Sequence, residues 1–109
     1  MKLKLTNKQF FALYDLLAIT VMRSDSFGLD IKIKLFRAIL IGVYKKFYKQ
    51  AIDKDKRKYT VNLNDAEACA WYLFFSNIQL PEEKINESRI LRDSTLLNIN
   101  TSIHQKFAA

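Results

Sequence analysis

Cysteine occurs once, at Cys69, so no disulfide can form within the chain and oxidative stapling has no part in its fold. That usage suits a reduced compartment, and the chain reads as cytoplasmic, in a bacterial cell or in a host cell. With a single cysteine and a single histidine, His104, no zinc site of thiolates and imidazoles can be assembled. Gly28 and Gly42 are the only glycines, which leaves no glycine-rich loop to cradle a phosphate. Acidic residues are scarce, 11 against 18 lysines and arginines, for a formal charge of +7. Long apolar runs are missing too. Phe10 to Met22 is the nearest, but Asp15 interrupts it, it falls short of the roughly 20 residues that span a bilayer, and no small-residue cleavage pattern follows it. No membrane partner is expected.

What remains is ordinary globular material. Half of the 109 residues are hydrophobic and 27% are charged, far from the profile of disordered chains. The length holds about one domain, covering 1–109, with enough apolar surface to fold without metal or cofactor.

The pattern along the chain predicts a mainly α fold, a compact bundle of four or five helices with a minor two-stranded β ribbon. Met1 to Leu5 alternates apolar and basic as a short strand does. Thr6 and Gln9 form a capping box opening a helix over about 7–23 that is apolar on nearly every side, Asp15 and Thr20 excepted. Turn residues from Ser24 to Gly28 end it, and Asp30 can cap a second helix over about 31–53. Along that helix Phe36, Leu40, Val43, Phe47 and Ala51 form one stripe, with Tyr44 and Tyr48 on its flank and Lys45 and Lys49 opposite. Ile31 to Leu35 also alternates like a strand, so helix and strand both stay open there. Tyr59 to Leu63 is a second short strand, followed by a second capping box, Asn64 with Glu67, and an apolar helix over about 66–78. Pro81 with Glu82 and Glu83 suits the start of a last helix. Its stripe of Ile85, Leu96, Ile99, Ile103 and Phe107 is interrupted by Arg89 and Arg92, with a kink or break expected near Asp93 and Ser94.

Leu3, Thr6, Gln9 and Tyr14 align with Val61, Asn64, Glu67 and Tyr72 at a constant spacing of 58 residues (61 − 3, 72 − 14). Strand, capped apolar helix and a more polar helix thus recur in 1–53 and 59–107, either as pseudo-symmetry or as a coincidence of two strand-to-helix junctions. Pseudo-symmetry would pair the first and third helices at the centre, with the ribbon beside them.

No catalytic constellation emerges. His104 has no nucleophile or orienting group nearby in sequence and reads as an exposed helix residue. Cys69 lies between alanines in the most apolar helix, a setting for core packing rather than nucleophilic reactivity. Trp71, Tyr72, Phe74 and Phe75 would make a base-stacking platform only if exposed in a positive groove, and an all-round apolar helix argues for core instead. Asp53 and Asp55 sit within a basic run, and Glu82, Glu83 and Glu87 at a helix start, so neither set suggests acid–base work.

The charge is concentrated. Lys45, Lys46, Lys49, Lys54, Lys56, Arg57 and Lys58 stand against only Asp53 and Asp55 over fourteen residues. A solvated helix end would account for part of this, but not for so many cations without matching glutamates at helical spacing. These seven residues, with Tyr48 and Tyr59 beside them, are the expected contact site for nucleic acid, a ribonucleoprotein or an acidic protein surface. Lysine outnumbers arginine, which suits attraction to a phosphate backbone more than bidentate reading of bases. The expectation is a small non-enzymatic interaction protein, a regulator or inhibitor acting on nucleic acid. The alternative is a protein-docking accessory or structural subunit, including a homo-oligomeric one, with its basic face only solvated. A Lys-, Asn- and Ile-rich composition also suits an AT-rich bacterial, phage or mobile-element gene.

Overall fold

The structure, a computed structural model, describes residues 1–21, 31–77 and 85–107. In chain order these form β1 (Lys2–Thr6), α1 (Asn7–Thr20), α2 (Ile31–Ala51), β2 (Lys58–Asn62), α3 (Asp65–Asn77) and α4 (Glu87–Phe107). The fold is mainly α with a minor ribbon, as the patterning predicts. The Ser24–Gly28 turn, the Asp30 cap, Ile78 and the Pro81, Glu82 and Glu83 start lie outside the described residues.

Both capping boxes are formed. The Thr6 amide donates to Gln9 Oε1 at 3.0 Å and the Gln9 amide to Thr6 Oγ1 at 3.3 Å. The Asn64 amide donates to Glu67 Oε1 at 2.9 Å and the Glu67 amide to Asn64 Oδ1 at 2.8 Å. Each box satisfies amides that the first turn of a helix leaves free, which explains why each strand turns into a helix where it does. Thr20, polar but buried, resolves its hydroxyl by donating to the Leu16 carbonyl at 2.7 Å.

Residues 31–35 are helical. β1 finds its partner in β2 instead, antiparallel, with Leu3 opposite Val61 and Leu5 opposite Tyr59. Those four side chains are buried, while Lys2, Lys4, Thr6, Lys58, Thr60 and Asn62 face solvent. Leu3 and Val61, aligned by the 58-residue spacing, are thus cross-strand neighbours. Two strands alone are marginal, and this ribbon persists because helices cover one of its faces.

The helix partners differ from the expected pairing of the first and third helices. α1 packs chiefly on α4, and α2 on α3. The antiparallel ribbon dictates this: α1 leaves β1 where β2 begins, and α3 leaves β2 where β1 begins, so the two helices start from opposite ends. The centre is aromatic. Phe10 stacks on Tyr59 with ring centroids 4.0 Å apart and on Phe47 at 5.1 Å, and Phe47 continues to Trp71 at 6.3 Å.

α4 begins at an Asn86 cap, whose Oδ1 accepts from the Arg89 amide at 2.9 Å, and runs unbroken past Asp93 and Ser94. Its buried stripe is Leu96, Ile99 and Ile103, whereas Ile85 is exposed. Arg92 does not interrupt that stripe. Its stem is buried while its Nε donates to Asp93 Oδ1 at 2.9 Å, the usual way a long cation covers apolar surface.

Candidate nucleic-acid interface

The loop between α2 and β2 carries Lys54, Lys56 and Arg57, and these with Lys58 at the start of β2 are four neighbouring cations that would repel one another if nothing held the backbone. Neutral donors hold it from beneath. Asn7 Nδ2 donates to the carbonyls of Lys54 (2.8 Å) and Lys56 (2.9 Å), and the Asn7 amide donates to the Arg57 carbonyl at 3.1 Å. The Tyr59 hydroxyl donates to the Asp53 carbonyl, and Asp53 Oδ1 accepts from the Asp55 amide at 3.2 Å. With the carbonyls drawn inward, the side chains of Lys54, Lys56, Arg57 and Lys58 are all exposed. The N-terminus of α1, which has no acidic residue in its first turn, adds its positive dipole end beside them.

The nine residues expected at the site do not all reach it. Tyr59 is 1% exposed and stacks on Phe10, so it belongs to the core. Its place follows from strand alternation, which puts positions 59, 61 and 63 on one face. Tyr48 is exposed but lies about 160° around α2 from Gln50, at 100° per residue, next to Tyr44 at 6.4 Å between ring centroids. It emerges away from the ribbon. Lys46 is only partly available: its Nζ donates to Glu67 Oε1 at 2.6 Å and to the Asn62 carbonyl at 2.8 Å. Because Glu67 is 7% exposed, this cation joins α2 to the start of α3. Gln50 Nε2, one turn later, donates to the Thr60 carbonyl at 2.8 Å and covers the same edge of β2. Lys45 and Lys49 are exposed, but they lie about 140° and 100° around α2 from Gln50, so Lys45 emerges with Tyr48 away from the ribbon and Lys49 at its margin.

Three cations that the charge run does not contain join the surface. Lys2 and Lys4 lie on the outward face of β1, opposite Asn62 and Thr60, and Lys8 follows Asn7, which holds the loop. Lys2, Lys4 and Lys8 thus lie beside Lys54, Lys56, Arg57 and Lys58, with Asp53 and Asp55 in the loop, Glu67 bound to Lys46, and Asp15 and Glu87 lining the same shallow cleft as Lys8. The Met1 to Leu5 alternation already marks Lys2 and Lys4 as outward. What sequence reasoning lacks is the identity of the strand beside them.

A second feature lies between α3 and α4. Tyr72, Leu73, Ile103, His104, Phe107 and Cys69 line an open cleft of about 220 Å³ between α3 and α4. The exposed His104 ring lies 5.8 Å from that of Tyr72, with Nδ1 3.2 Å from the hydroxyl, and no carboxylate lines the cleft. Cys69 is half-buried beside it, not enclosed in the core as expected. Trp71, Phe74 and Phe75 are buried, as the apolar helix predicts. Among the described residues no group of three or more His, Cys, Asp and Glu lies close enough to hold a metal, and no helix is long and apolar enough to cross a membrane.

Tyr14 stacks on Tyr44 at 5.5 Å, their hydroxyls 3.5 Å apart. The hydrogen bond to Tyr44, then burial, push the Tyr14 phenol up to about 12 from 10.0. A raised folded value means that the unfolded chain loses this proton first. Its contribution to stability is therefore complete below pH 10 and is lost as pH rises from 10 towards 12. Ultraviolet titration of the phenolates should show a late contribution from Tyr14 that moves earlier in Tyr44→Phe. An unchanged titration in that variant sinks the assignment.

The chain matches no family model, no curated protein and no solved structure.

Proposed function

We propose that this is a non-enzymatic interaction protein that binds nucleic acid, free or within a nucleic-acid–protein complex, by neutralising backbone phosphates with little dependence on sequence. One observation carries the reading: folding adds Lys2, Lys4 and Lys8 to a loop that is already cation-dense and pins that loop so that its charges point outward. Carboxylates are present, Asp53 and Asp55 in the loop and Asp15 and Glu87 beside Lys8, but the cations outnumber them, since Glu67 is taken up by Lys46 and Asp65 by Lys106. Lysines on an accessible surface act as mobile point charges, which suits phosphates along a backbone.

Each phosphate neutralised releases condensed counterions, so the logarithm of affinity for duplex DNA should fall linearly with the logarithm of salt. Engagement of five to seven phosphates corresponds to a slope of about −4.5 to −6. Fluorescence anisotropy with a labelled duplex and a labelled single strand over a salt series measures it. No binding at low salt, or binding indifferent to salt, rules the proposal out.

A further inference from the structure

Resting on that reading, we infer that the β1–β2 ribbon enters the major groove of B-form duplex DNA, with the cationic loop on the flanking phosphates. The ribbon has the required shape. The major groove, about 12 Å wide, admits a two-stranded antiparallel ribbon, and strands about 4.8 Å apart leave room there for side chains on the leading face. That face is free of carboxylates. It presents three cross-strand rungs, Lys2 with Asn62, Lys4 with Thr60, and Thr6 with Lys58, each joining one ammonium to one neutral hydrogen-bonding group. All six side chains are exposed.

The spacing matches as well. Successive rungs lie two residues apart, about 6.8 Å along an antiparallel strand, close to two base-pair steps of about 3.4 Å. The groups on the rungs can meet polar edges in that groove whatever the sequence, since every base pair presents hydrogen-bond acceptors there.

The ribbon, like the loop, is held in place. Leu3, Leu5, Tyr59 and Val61 anchor its inner face in the core, and Lys46 and Gln50 hold the outer edge of β2. The ribbon therefore enters without ordering a segment first, which removes a conformational cost of binding. The 58-residue spacing places Thr60 in correspondence with Lys2 and Asn62 with Lys4, so the two strands present different groups.

The test uses the whole chain and three duplex probes of one sequence: unmodified DNA, DNA whose hydroxymethylcytosines carry glucose in the major groove, and double-stranded RNA. Glucose blocks the major groove without changing phosphate charge, and the A-form major groove of RNA is too narrow and deep for side chains to read. The expected result is affinity for unmodified DNA about tenfold or more above the other two, with a minor-groove ligand such as netropsin leaving it unchanged. In a Lys4→Ala/Asn62→Ala variant that preference shrinks while the salt dependence largely remains. Salt-dependent binding of equal strength to all three duplexes overturns groove entry and leaves the phosphate-binding proposal standing. No binding to any of them overturns both.

Discussion

Replacing Phe10 with alanine should lower the free energy of unfolding by about 3–5 kcal/mol, the range for truncating a fully buried aromatic residue. Phe10 is 0% exposed and is the ring on which the two halves of the chain meet: Tyr59 of β2, Phe47 of α2, and Phe11 and Tyr14 of its own helix all lie against it. Alanine removes the transfer energy of the ring and leaves a cavity whose walls come from three different elements. Those elements cannot close together without disturbing the ribbon register. A domain of this size has a total stability of about 5–15 kcal/mol, so the variant should sit near the edge of folding. Urea denaturation followed by circular dichroism measures the effect, with Phe10→Leu as the milder control. A loss below about 1 kcal/mol would show that the site collapses freely and that the aromatic centre does not hold these elements together.

The second large effect concerns binding. Changing Lys54, Lys56, Arg57 and Lys58 together to glutamine should weaken duplex binding about a thousandfold near 0.1 M salt and make the salt slope shallower by roughly 3.6, the contribution of four phosphate contacts. Stability should hardly move, because the loop conformation comes from Asn7, Asp53 and the Tyr59 hydroxyl, none of which is altered. If anything, removing four like charges relieves repulsion. Parallel thermal melts and anisotropy titrations separate the two readouts. An intact variant that binds as tightly as the parent, with the same salt slope, would place the contact elsewhere.

Legibility from sequence followed the range of the interactions concerned. The capping boxes Thr6–Gln9 and Asn64–Glu67 were readable because a capping box spans three residues and uses side chains with few other roles at those positions. The stripe Leu40, Val43, Phe47 and Ala51 was readable because helical periodicity places it on one face whatever covers that face. Tyr59 reads as a surface residue because its neighbours in sequence are cations, although its strand parity points inward; a period-two signal only five residues long is weak beside so much local charge. Lys46 looked like any other member of the basic run, since its partner Glu67 stands 21 residues away on another helix. The missing kink at Asp93 has a similar origin. An arginine on an apolar stripe reads as an interruption until a neighbouring carboxylate and a surface for its stem are in place.

By itself, the sequence determined that the chain is a mainly α domain with two short strands, that each strand runs into a capped apolar helix, and that positive charge crowds into residues 45–58. These are consequences of side-chain periodicity, capping chemistry and charge, all of which act over one or two turns of chain. Only the tertiary structure decided that β1 pairs with β2, that α1 lies on α4 and α2 on α3, and that Lys2, Lys4 and Lys8 join the basic run while Tyr59 leaves it. Those outcomes depend on which buried faces meet between elements well separated in the chain, and a strand pattern names the face that must be covered without naming the element that covers it.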